Sequence, residues 1–347
     1  MRIAVVNTQL PFVSGGAETL ANGLVKALSR EGHEADLIRI PFRDGPQHLL
    51  DQMLACRMMD FRESAIGPVD LLIALKFPAY LVQHPRKVIW ALHQYRAVYD
   101  LWRHRLGGYS AHPSGALLRT AVLSADEQAF REASGIYSIS KTVSDRLLRF
   151  NSVNAEPLLT PPEEAHLFRK CAMEDFFYLP SRFTHTKRQD LVVRAMAETR
   201  NPVRLLLAGP NSEISYLEKI EALIDQLHLA SRVRILGRVS TQESLDLYSR
   251  CLGVVFCPLD EDYGYVTLEG MLSSKPVVTT RDAGGPLEFV RNGETGLVCD
   301  PNPTSIAAAL DELWDDRRKA ECLGDAGRER YRDLGIGWEG IVRKLLK

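Results

Sequence analysis

The sequence predicts an α/β protein built from two doubly wound parallel sheets. Short apolar runs with strand character alternate with segments of helical periodicity along the whole chain, and such alternation implies parallel strands covered by helices. The alternation pauses once, at a proline-containing stretch over 156–163, and then restarts. The length of 347 residues is sufficient for two domains of ordinary size. We therefore expect one doubly wound domain on each side of that stretch.

Five short buried strands and one clear helix are predicted in the first half. The strands are predicted over 2–7, 34–40, 71–75, 87–92 and 135–138. The helix is predicted over 16–30, where Leu20, Leu24, Ala27 and Leu28 share one face.

The second half repeats the alternation more regularly. Its strands are predicted over 176–179, 203–208, 233–236, 253–257, 276–280 and 295–298. Its helices are predicted over 187–198, 216–227, 240–250, 267–273, 285–291 and 304–315. Ligands of doubly wound sheets normally lie at the carboxyl ends of the strands. Functional residues are therefore expected in the loops that follow these strands.

These patterns predict two domains, over 1–165 and 166–334. The last segment, 335–347, is amphipathic. We expect it to form a helix that crosses back and packs on the first domain.

Composition excludes several classes of protein. The 43 Lys and Arg nearly balance the 44 Asp and Glu, so no global charge favours nucleic acid. The six cysteines form no C-x-x-C pair, which argues against a zinc or redox site and favours reduced thiols. The chain begins directly with a predicted strand, so we expect no signal peptide, and no apolar run has the length of a membrane span. We therefore expect a cytoplasmic protein whose membrane contacts are at most peripheral.

Two carboxylates flank a tight turn between a predicted strand and a predicted helix. Glu261 and Glu269 have seven residues between them, with Gly264 inside the turn. We expect Glu261 to face out of the loop and Glu269 to lie in the first turn of the helix, beside N–H groups able to hold phosphate. Carboxylates accept hydrogen bonds from sugar hydroxyls, and helix N-termini hold diphosphates. This combination predicts a nucleotide-sugar ligand.

A pair of glycines follows the first predicted strand. In Ser14-Gly15-Gly16-Ala17-Glu18 the glycines let the backbone approach a ligand closely. A plain tight turn explains them equally well. The stretch does not have the G-x-G-x-x-G pattern, so the dinucleotide fingerprint is absent.

Two cations follow the first predicted strand of the second half. Arg182 and Lys187 lie in a βα loop, where they suit a diphosphate. Cations at a helix N-terminus oppose the helix dipole, so a bound anion explains them better than an empty, solvated surface does. A third loop contains Gly284-Gly285-Pro286, which marks a helix start, and Glu288 is expected to brace it.

The order and spacing of these motifs resemble the retaining glycosyltransferases of family 4, also called glycosyl transferases group 1. The shared motifs are Gly-Gly-Ala-Glu at 15–18, Arg and Lys at 182 and 187, Glu-x7-Glu at 261 and 269, Gly-Gly-Pro-Leu-Glu at 284–288 and Gly-Glu-Thr-Gly at 293–296. The resemblance covers nearly the whole chain and is most specific between about 178 and 300.

The resemblance implies the GT-B fold, in which two Rossmann-like domains face each other across a deep cleft. The N-terminal domain would bind the acceptor and the C-terminal domain the nucleotide sugar. The implied reaction is retaining transfer of a hexose-type sugar from a UDP- or GDP-sugar to a glycan or lipid-linked acceptor. The implied role is cell-surface polysaccharide or glycolipid synthesis, without a cofactor or a required metal.

Roles in the second domain carry over by position. Glu261 resembles the glutamate that contacts the donor-sugar hydroxyls, and Glu269 the one that holds the ribose. Arg182 and Lys187 resemble the diphosphate clamp. The backbone of Tyr263, Gly264 and Tyr265 is expected to approach the sugar and phosphates.

Roles in the first domain carry over in the same way. Gly16, preceded by Gly15, resembles the glycine whose N–H approaches the diphosphate. His93 resembles the active-site histidine near the sugar, because it follows an apolar strand at the corresponding place. Ser140 resembles a strand-end serine that faces the cleft. The implied mechanism is front-face attack, in which the leaving phosphate takes the acceptor proton.

The chain departs from the family pattern beside Glu261. Glu-Asp-Tyr-Gly stands where the family often has Glu-Gly-Phe-Gly, and Tyr265 replaces smaller apolar residues, so the sugar stays open. Asp260-Glu261-Asp262 looks like a D-x-D metal motif. We interpret it as a decoy, because the second domain has its own cationic clamp and a metal would be redundant.

The acceptor side has a basic, aromatic stretch over 86–106. Residues 81–120 contain one acid, Asp100, and six basic residues, which are Arg86, Lys87, Arg96, Arg103, Arg105 and Arg119. Interleaved with them are Tyr95, Tyr99, Leu101, Trp102 and Leu106. Such a stretch suits an anionic membrane or a lipid-diphosphate acceptor. A solvated basic helix whose apolar face packs on the core explains it equally well.

Two other functions stay open. A GT-B-fold nucleotide-sugar epimerase would share the nucleotide site but need no acceptor. A non-catalytic nucleotide-sugar-binding protein is the second alternative, and the presence of Glu261, Glu269, Arg182 and Lys187 argues against it. A dehydrogenase is disfavoured by the missing fingerprint.

Overall fold

The computed structural model describes residues 1–13, 15–104 and 106–347. The strands are β1 (Arg2–Gln9), β2 (Glu34–Pro41), β3 (Glu63–Ser64), β4 (Gly67–Pro68), β5 (Leu71–Ala74), β6 (Lys87–Ala91), β7 (Gly135–Ser138), β8 (Glu156–Pro157), β9 (Phe177–Pro180), β10 (Leu205–Ala208), β11 (Val233–Gly237), β12 (Gly253–Val255), β13 (Val277–Thr280) and β14 (Gly296–Cys299).

The helices are α1 (Gly16–Arg30), α2 (Leu49–Met58), α3 (Gly115–Glu132), α4 (Lys141–Asn151), α5 (Gln189–Glu198), α6 (Ile214–Gln226), α7 (Thr241–Arg250), α8 (Tyr265–Leu272), α9 (Pro286–Phe289), α10 (Pro303–Asp315), α11 (Arg317–Asp333) and α12 (Trp338–Leu345). Short 3₁₀ turns cover Ala79–Leu81, Arg96–Val98, Tyr109–Ala111, Ala165–Leu167 and His185–Lys187. Within the described ranges, none of the helices combines the length and the apolar character needed to cross a membrane.

The chain divides into two compact units. The first contains Met1–Glu163 together with Gly337–Lys347, and the second contains Glu164–Ile336. The last helix, α12, therefore belongs to the first unit, although it follows the second unit in sequence.

The first unit is a parallel sheet with the strand order β2-β1-β5-β6-β7-β8. In the register, Ile3 of β1 lies between Ala35 and Leu71. Strand β5 is fully buried, as expected for a parallel strand covered on both faces. The order reverses between β1 and β5, so a ligand site is expected at the carboxyl ends of these two strands.

The second unit is a parallel sheet with the strand order β11-β10-β9-β12-β13-β14. Numbered within the unit, this is the 3-2-1-4-5-6 order of the Rossmann fold. Its order reverses between β9 and β12, whose Phe177 and Gly253 lie side by side. Buried apolar side chains of the strands and helices pack together in separate clusters. The loops after β9 and β12 therefore flank the expected ligand site.

Every strand that the sequence predicts is present, with ends within two residues of the predicted ones. The stretch over 156–163 is not only a connector, because Glu156 and Pro157 form the sixth strand of the first sheet, paired with β7. Helices α2, α3, α4 and α11 were not predicted.

The two tyrosines of the 86–106 segment are directed into the first unit. Tyr95 and Tyr99 are buried, and the Tyr99 hydroxyl donates to Asp126 Oδ2 at 2.7 Å. The Lys87 side chain is fully buried and its ammonium lies 3.3 Å from a carboxylate oxygen of Glu132. These side chains fit the alternative in which the segment packs on the core. Arg105, which the prediction included, lies outside the described residues.

Candidate functional site

The loops after β9 and β12 meet at the point where the strand order of the second unit reverses. Lys187 ends the 3₁₀ turn after β9, and Glu261 lies in the loop after β12. The Lys187 ammonium lies 2.5 Å from Glu261 Oε2, and the two side chains are 13% and 20% exposed. The ammonium also lies 5.3 Å from the centre of the Phe256 ring. A cation and a carboxylate therefore share one half-buried position.

Arg182, the other predicted cation, is exposed. Its guanidinium makes no hydrogen bond or ion pair with the part of the chain that the structure describes. Its carbonyl accepts a hydrogen bond from the Gln189 side chain at 2.9 Å, which fixes the loop backbone. The structure thus joins Lys187 to Glu261 and leaves the side chain of Arg182 available to a ligand.

The turn at Gly264 differs from its predicted form. Gly264 has a φ of 90°, in the left-handed region that favours glycine, and caps α8. The helix therefore begins at Tyr265, two residues earlier than predicted. Tyr263 is buried, with its ring 5.3 Å from that of Phe289, so only its backbone is suited to a ligand. Tyr265 stacks edge-on against it at 5.0 Å.

Glu269 lies in the second turn of α8, and the prediction of a first-turn position was wrong. It is the fifth residue of the helix because Gly264 starts the helix early. Its carboxylate accepts a hydrogen bond from the buried hydroxyl of Tyr248. Burial raises the pKa of Glu269, and the Tyr248 hydrogen bond opposes that rise. Sequence reasoning missed Tyr248, because a tyrosine on the buried face of a helix carries no motif.

The loop after β13 closes the site from the other side. The N–H groups of Asp260 and Glu261 donate to the carbonyls of Asp282 and Ala283, each at 2.8 Å. A Cβ on Gly284 would lie 2.6 Å from the Glu261 carbonyl oxygen, and one on Gly285 would lie 2.5 Å from that of Tyr263. The two glycines therefore allow the loops to approach closely. Pro286 lies in the first turn of α9 as predicted, but the helix covers Pro286–Phe289 rather than the predicted 285–291.

Arg188 holds these loops together and was not predicted as a functional residue. Its guanidinium donates to both carboxylate oxygens of Asp282 at 2.7 Å. It also donates to the carbonyls of Cys257 and Pro258 at 2.9 and 2.7 Å. The left-handed backbone of Arg188, with a φ of 52°, is why α5 begins at Gln189 rather than at Lys187.

The first unit has a polar cluster at its own switch point. The Gly15 N–H donates to Glu18 Oε2 at 2.8 Å, and Glu18 Oε1 lies 3.2 Å from the Lys76 ammonium. Gly16 begins α1 as predicted, and Ser14 lies outside the described residues. Lys76 follows β5, so its position directly after a predicted strand was a signal that sequence reasoning passed over.

His93 and Ser140 follow the next two strands of the first sheet. The Nδ1 of half-buried His93 lies 2.7 Å from the carbonyl oxygen of Gln94, which directs Nε2 away from that carbonyl. The fully buried Ser140 is the N-cap of α4, where its hydroxyl accepts from the Val143 N–H at 3.0 Å. Helix capping therefore accounts for the serine at this strand end.

Across the described ranges, no three His, Cys, Asp or Glu side chains are grouped so that they could hold a metal ion. Asp260 has a left-handed backbone, with a φ of 45°, beside Glu261. The backbone of Asp260 and Glu261 thus takes part in the loop geometry described above.

The sequence is similar to known glycosyltransferases. Residues 168–330 match the family model described as glycosyl transferases group 1. The human alpha-1,3/1,6-mannosyltransferase ALG2 is 26% identical over 44% of this chain and 40% of its own length. The uncharacterized glycosyltransferase MJ1607 of Methanocaldococcus jannaschii is 25% identical over the whole chain and 97% of its own length. The match therefore spans less than half of the human relative and nearly all of the archaeal one.

Solved structures share the fold of the whole chain. Sucrose-phosphate synthase of Thermosynechococcus elongatus superposes with a TM-score of 0.81 at 19% identity, over 99% of this chain and 97% of that one. HepE of Anabaena, solved with UDP and glucose, has a TM-score of 0.75 at 16% identity, over 99% of both chains. These likenesses show two Rossmann-like domains of the GT-B fold. Residues 168–330, which lie in its second unit, match the glycosyl transferases group 1 family.

Proposed function

We propose that this protein is a retaining glycosyltransferase that moves a hexose-type sugar from a UDP- or GDP-sugar to a glycan or lipid-linked acceptor. The observation that carries the proposal is the meeting of Lys187 and Glu261 at the switch point of the second sheet. The sugar of a nucleotide sugar is bonded directly to a phosphate. A cation that binds this phosphate and a carboxylate that accepts hydrogen bonds from the sugar hydroxyls should therefore lie close together. Lys187 and Glu261 do so.

The chemistry assigned to the residues is mainly charge stabilisation. The leaving diphosphate gains negative charge as the anomeric bond breaks, and we assign Lys187, Arg182 and the N-terminal turn of α8 to its stabilisation. Glu261 orients the sugar. In the first unit, His93 and Gly16 are assigned to the sugar and the diphosphate by family resemblance. The leaving phosphate takes the acceptor proton in front-face attack, and the protein's own cations replace a metal.

Support for the donor class comes from relatives. HepE binds UDP and glucose in its crystals, and human ALG2 is a mannosyltransferase. A role in cell-surface polysaccharide or glycolipid synthesis follows from the acceptor class. The six cysteines are free, which fits the cytoplasm. Membrane contact through 86–106 loses its main support, because Tyr95, Tyr99 and Lys87 are buried.

A panel of UDP-, GDP- and ADP-sugars tests the proposal. We expect slow hydrolysis of one donor class, faster turnover when acceptor is added, and thermal stabilisation by the matching nucleotide diphosphate. NMR of the product should show the anomeric configuration of the donor, and EDTA should leave the rate unchanged. An inverted product would remove the retaining mechanism, and loss of the rate in EDTA would remove metal independence.

The same panel separates the alternatives. An epimerase would convert a nucleotide sugar into its epimer without any acceptor. A non-catalytic binding protein would be stabilised by one nucleotide and release no nucleotide diphosphate from any donor. The close contact of Lys187 and Glu261 supports the transferase, in which both residues are assigned to the bond that breaks.

A further inference from the structure

Arg188 has a backbone conformation that a side chain rarely adopts. It lies between the 3₁₀ turn that ends at Lys187 and the start of α5, with a φ of 52°. Glycine occupies this left-handed region without strain, whereas a residue with a Cβ does not. A strained arginine at this place therefore calls for a function of its side chain.

The guanidinium joins the loops of three neighbouring strands. Strands β9, β12 and β13 lie side by side in the sheet. Arg188 follows β9, and its side chain is 17% exposed. Among the described residues, its ion-pair partner is Asp282. After β12, its acceptors are the carbonyls of Cys257 and Pro258. At β13, they are Oγ1 of Thr280, the last residue of the strand, at 3.0 Å, and both carboxylate oxygens of Asp282, which follows the strand.

The clamped loops are the ones that carry the donor-site residues. Lys187 is the neighbour of Arg188 in the chain. The carbonyl of Asp282 accepts from the Asp260 N–H at 2.8 Å, and the carbonyl of Glu261 accepts from the Gly285 N–H at 2.8 Å. One side chain thus fixes the backbone on both sides of the Lys187–Glu261 pair.

We propose that Arg188 is a positioning residue of the donor site, which holds Lys187 and Glu261 in register by clamping the loops after β12 and β13. The proposal rests on the proposed function, because the residues it positions are those assigned to the donor. Arg188 acts through the loops and is not itself assigned to the substrate.

The arrangement of these hydrogen-bond acceptors requires arginine rather than a positive charge alone. A guanidinium is planar and rigid, so it bonds a carboxylate with two parallel donors and still reaches two carbonyls. A lysine ammonium has a single centre and cannot span these acceptors. Burial tends to raise the pKa of Asp282, but the hydrogen bonds and charge of Arg188 outweigh it, and the pKa lies below its ordinary value.

Two variants of Arg188 test the proposal against one control. Arg188→Gly relieves the backbone strain and removes the clamp, and Arg188→Lys keeps the charge. The control is Arg232→Ala, because Arg232 also donates to several acceptors in the second unit, the Thr199 hydroxyl and the carbonyls of Met196 and Asn201, but lies away from these loops.

We expect both Arg188 variants to lower kcat by about tenfold to a hundredfold, the effect of misplacing a reacting group. The Kd for the nucleotide diphosphate should rise as well. Both quantities are measured at temperatures where circular dichroism shows a folded protein. Arg232→Ala should lower the melting temperature and keep the wild-type kcat. Wild-type kcat and Kd in Arg188→Gly, or an equal loss of kcat in Arg232→Ala, would overturn the proposal.

Hydrogen exchange keeps the proposal separate from the function on which it rests. We expect amides over 257–264 and 280–286 to exchange faster in Arg188→Gly than in Arg232→Ala. If wild-type protein turns over no nucleotide sugar, the proposed function fails, and the clamp is then decided by exchange alone. Unchanged exchange over those two stretches would refute it.

Discussion

At the scale of single residues, the site is organised around charges that neutralise one another. Lys187 and Glu261 are each other's partner at 2.5 Å, and Glu18 plays the same part for Lys76 in the first unit at 3.2 Å. A half-buried charge is costly unless it is paired. A donor that supplies phosphate and hydroxyl groups would exchange these partners rather than leave them unpaired.

Lys187→Ala should abolish most of the turnover without unfolding the protein. The ammonium is assigned to the charge of the leaving group, and loss of one such preorganised group costs about a hundredfold to a thousandfold in kcat. Steady-state kinetics with the best donor measures it. The control is Lys219→Ala, since Lys219 pairs with Asp190 at 2.9 Å in the same unit and is 47% exposed. A rate for Lys187→Ala equal to that of the control would argue against a role of Lys187 in binding the diphosphate.

Glu269→Gln should weaken nucleotide binding while making the fold more stable at neutral pH. A carboxyl with a raised pKa holds its proton more tightly in the folded protein than in the unfolded chain. Its contribution to stability therefore falls as the pH rises from the ordinary carboxyl range through the raised pKa. The glutamine has no charge to bury and still offers Tyr248 an oxygen. Urea unfolding at several pH values measures the gain.

The same variant should raise the Kd for the nucleotide diphosphate by about tenfold to a hundredfold, the value of a hydrogen bond to a charged group. Glu221→Gln removes the same charge from the exposed face of α6 and should change neither quantity. An unchanged Kd in Glu269→Gln would argue against the ribose assignment.

At the scale of elements, apolar periodicity was the reliable signal. The strand Gly135–Ser138 and the helix Gly16–Arg30 were predicted with the bounds that the structure has. Helix α11 was missed because most of its residues are charged and few are buried, namely Ala320, Leu323, Gly324 and Gly327. These four positions have helical spacing, but two of them are glycines, which contribute little to an apolar pattern.

The candidate site was less predictable than the sheets that carry it. Spacing located Lys187 and Glu261 in two strand-end loops but did not show that they touch. That contact depends on β9 and β12 being neighbours, which is a property of the whole strand order. Arg188 and Tyr248 act through long-range contacts with Asp282 and Glu269, and no local pattern encodes such pairs.

Gly284→Ala should reduce both stability and turnover, because the loop after β13 approaches Glu261 too closely for a side chain. The added Cβ would lie 2.6 Å from the Glu261 carbonyl oxygen. The matched control is Gly293→Ala, since the two glycines have φ values of 72° and 75° but nothing lies within 4 Å of a Cβ at Gly293. The backbone strain, about 1–2 kcal/mol, is common to both variants.

The collision should cost Gly284→Ala about 1–3 kcal/mol more than the control in urea unfolding. It should also lower kcat through displacement of Glu261, whereas Gly293→Ala should keep the wild-type kcat. Equal free energies of unfolding for the two variants would show that the loops separate freely.

At the scale of the whole molecule, the chain returns to its first unit after completing the second. Helix α12 packs against α1 and β6, with Trp338 edge-on to the buried Trp90 at 6.4 Å. The Tyr137 hydroxyl donates to the Lys344 carbonyl at 2.8 Å, and Arg86 donates to that of Leu346 at 2.9 Å. The stability of the first unit therefore depends on residues that follow the second unit in the chain.

The effect of Gly23→Ala on the free energy of unfolding should change sign when Trp338 is replaced, which tests this packing. A Cβ on Gly23 would lie 2.4 Å from the Trp338 ring, so Gly23→Ala should destabilise the first unit by about 1–3 kcal/mol through overpacking. Trp338→Ala should cost about 3 kcal/mol through lost burial. In the Trp338→Ala background the ring is gone, so Gly23→Ala should instead stabilise by up to about 1 kcal/mol, the helix preference of alanine over glycine. Urea unfolding, with amide exchange over α1 reporting on the first unit, measures all four proteins. Additive effects of the two substitutions would mean that α12 does not rest on α1 in solution.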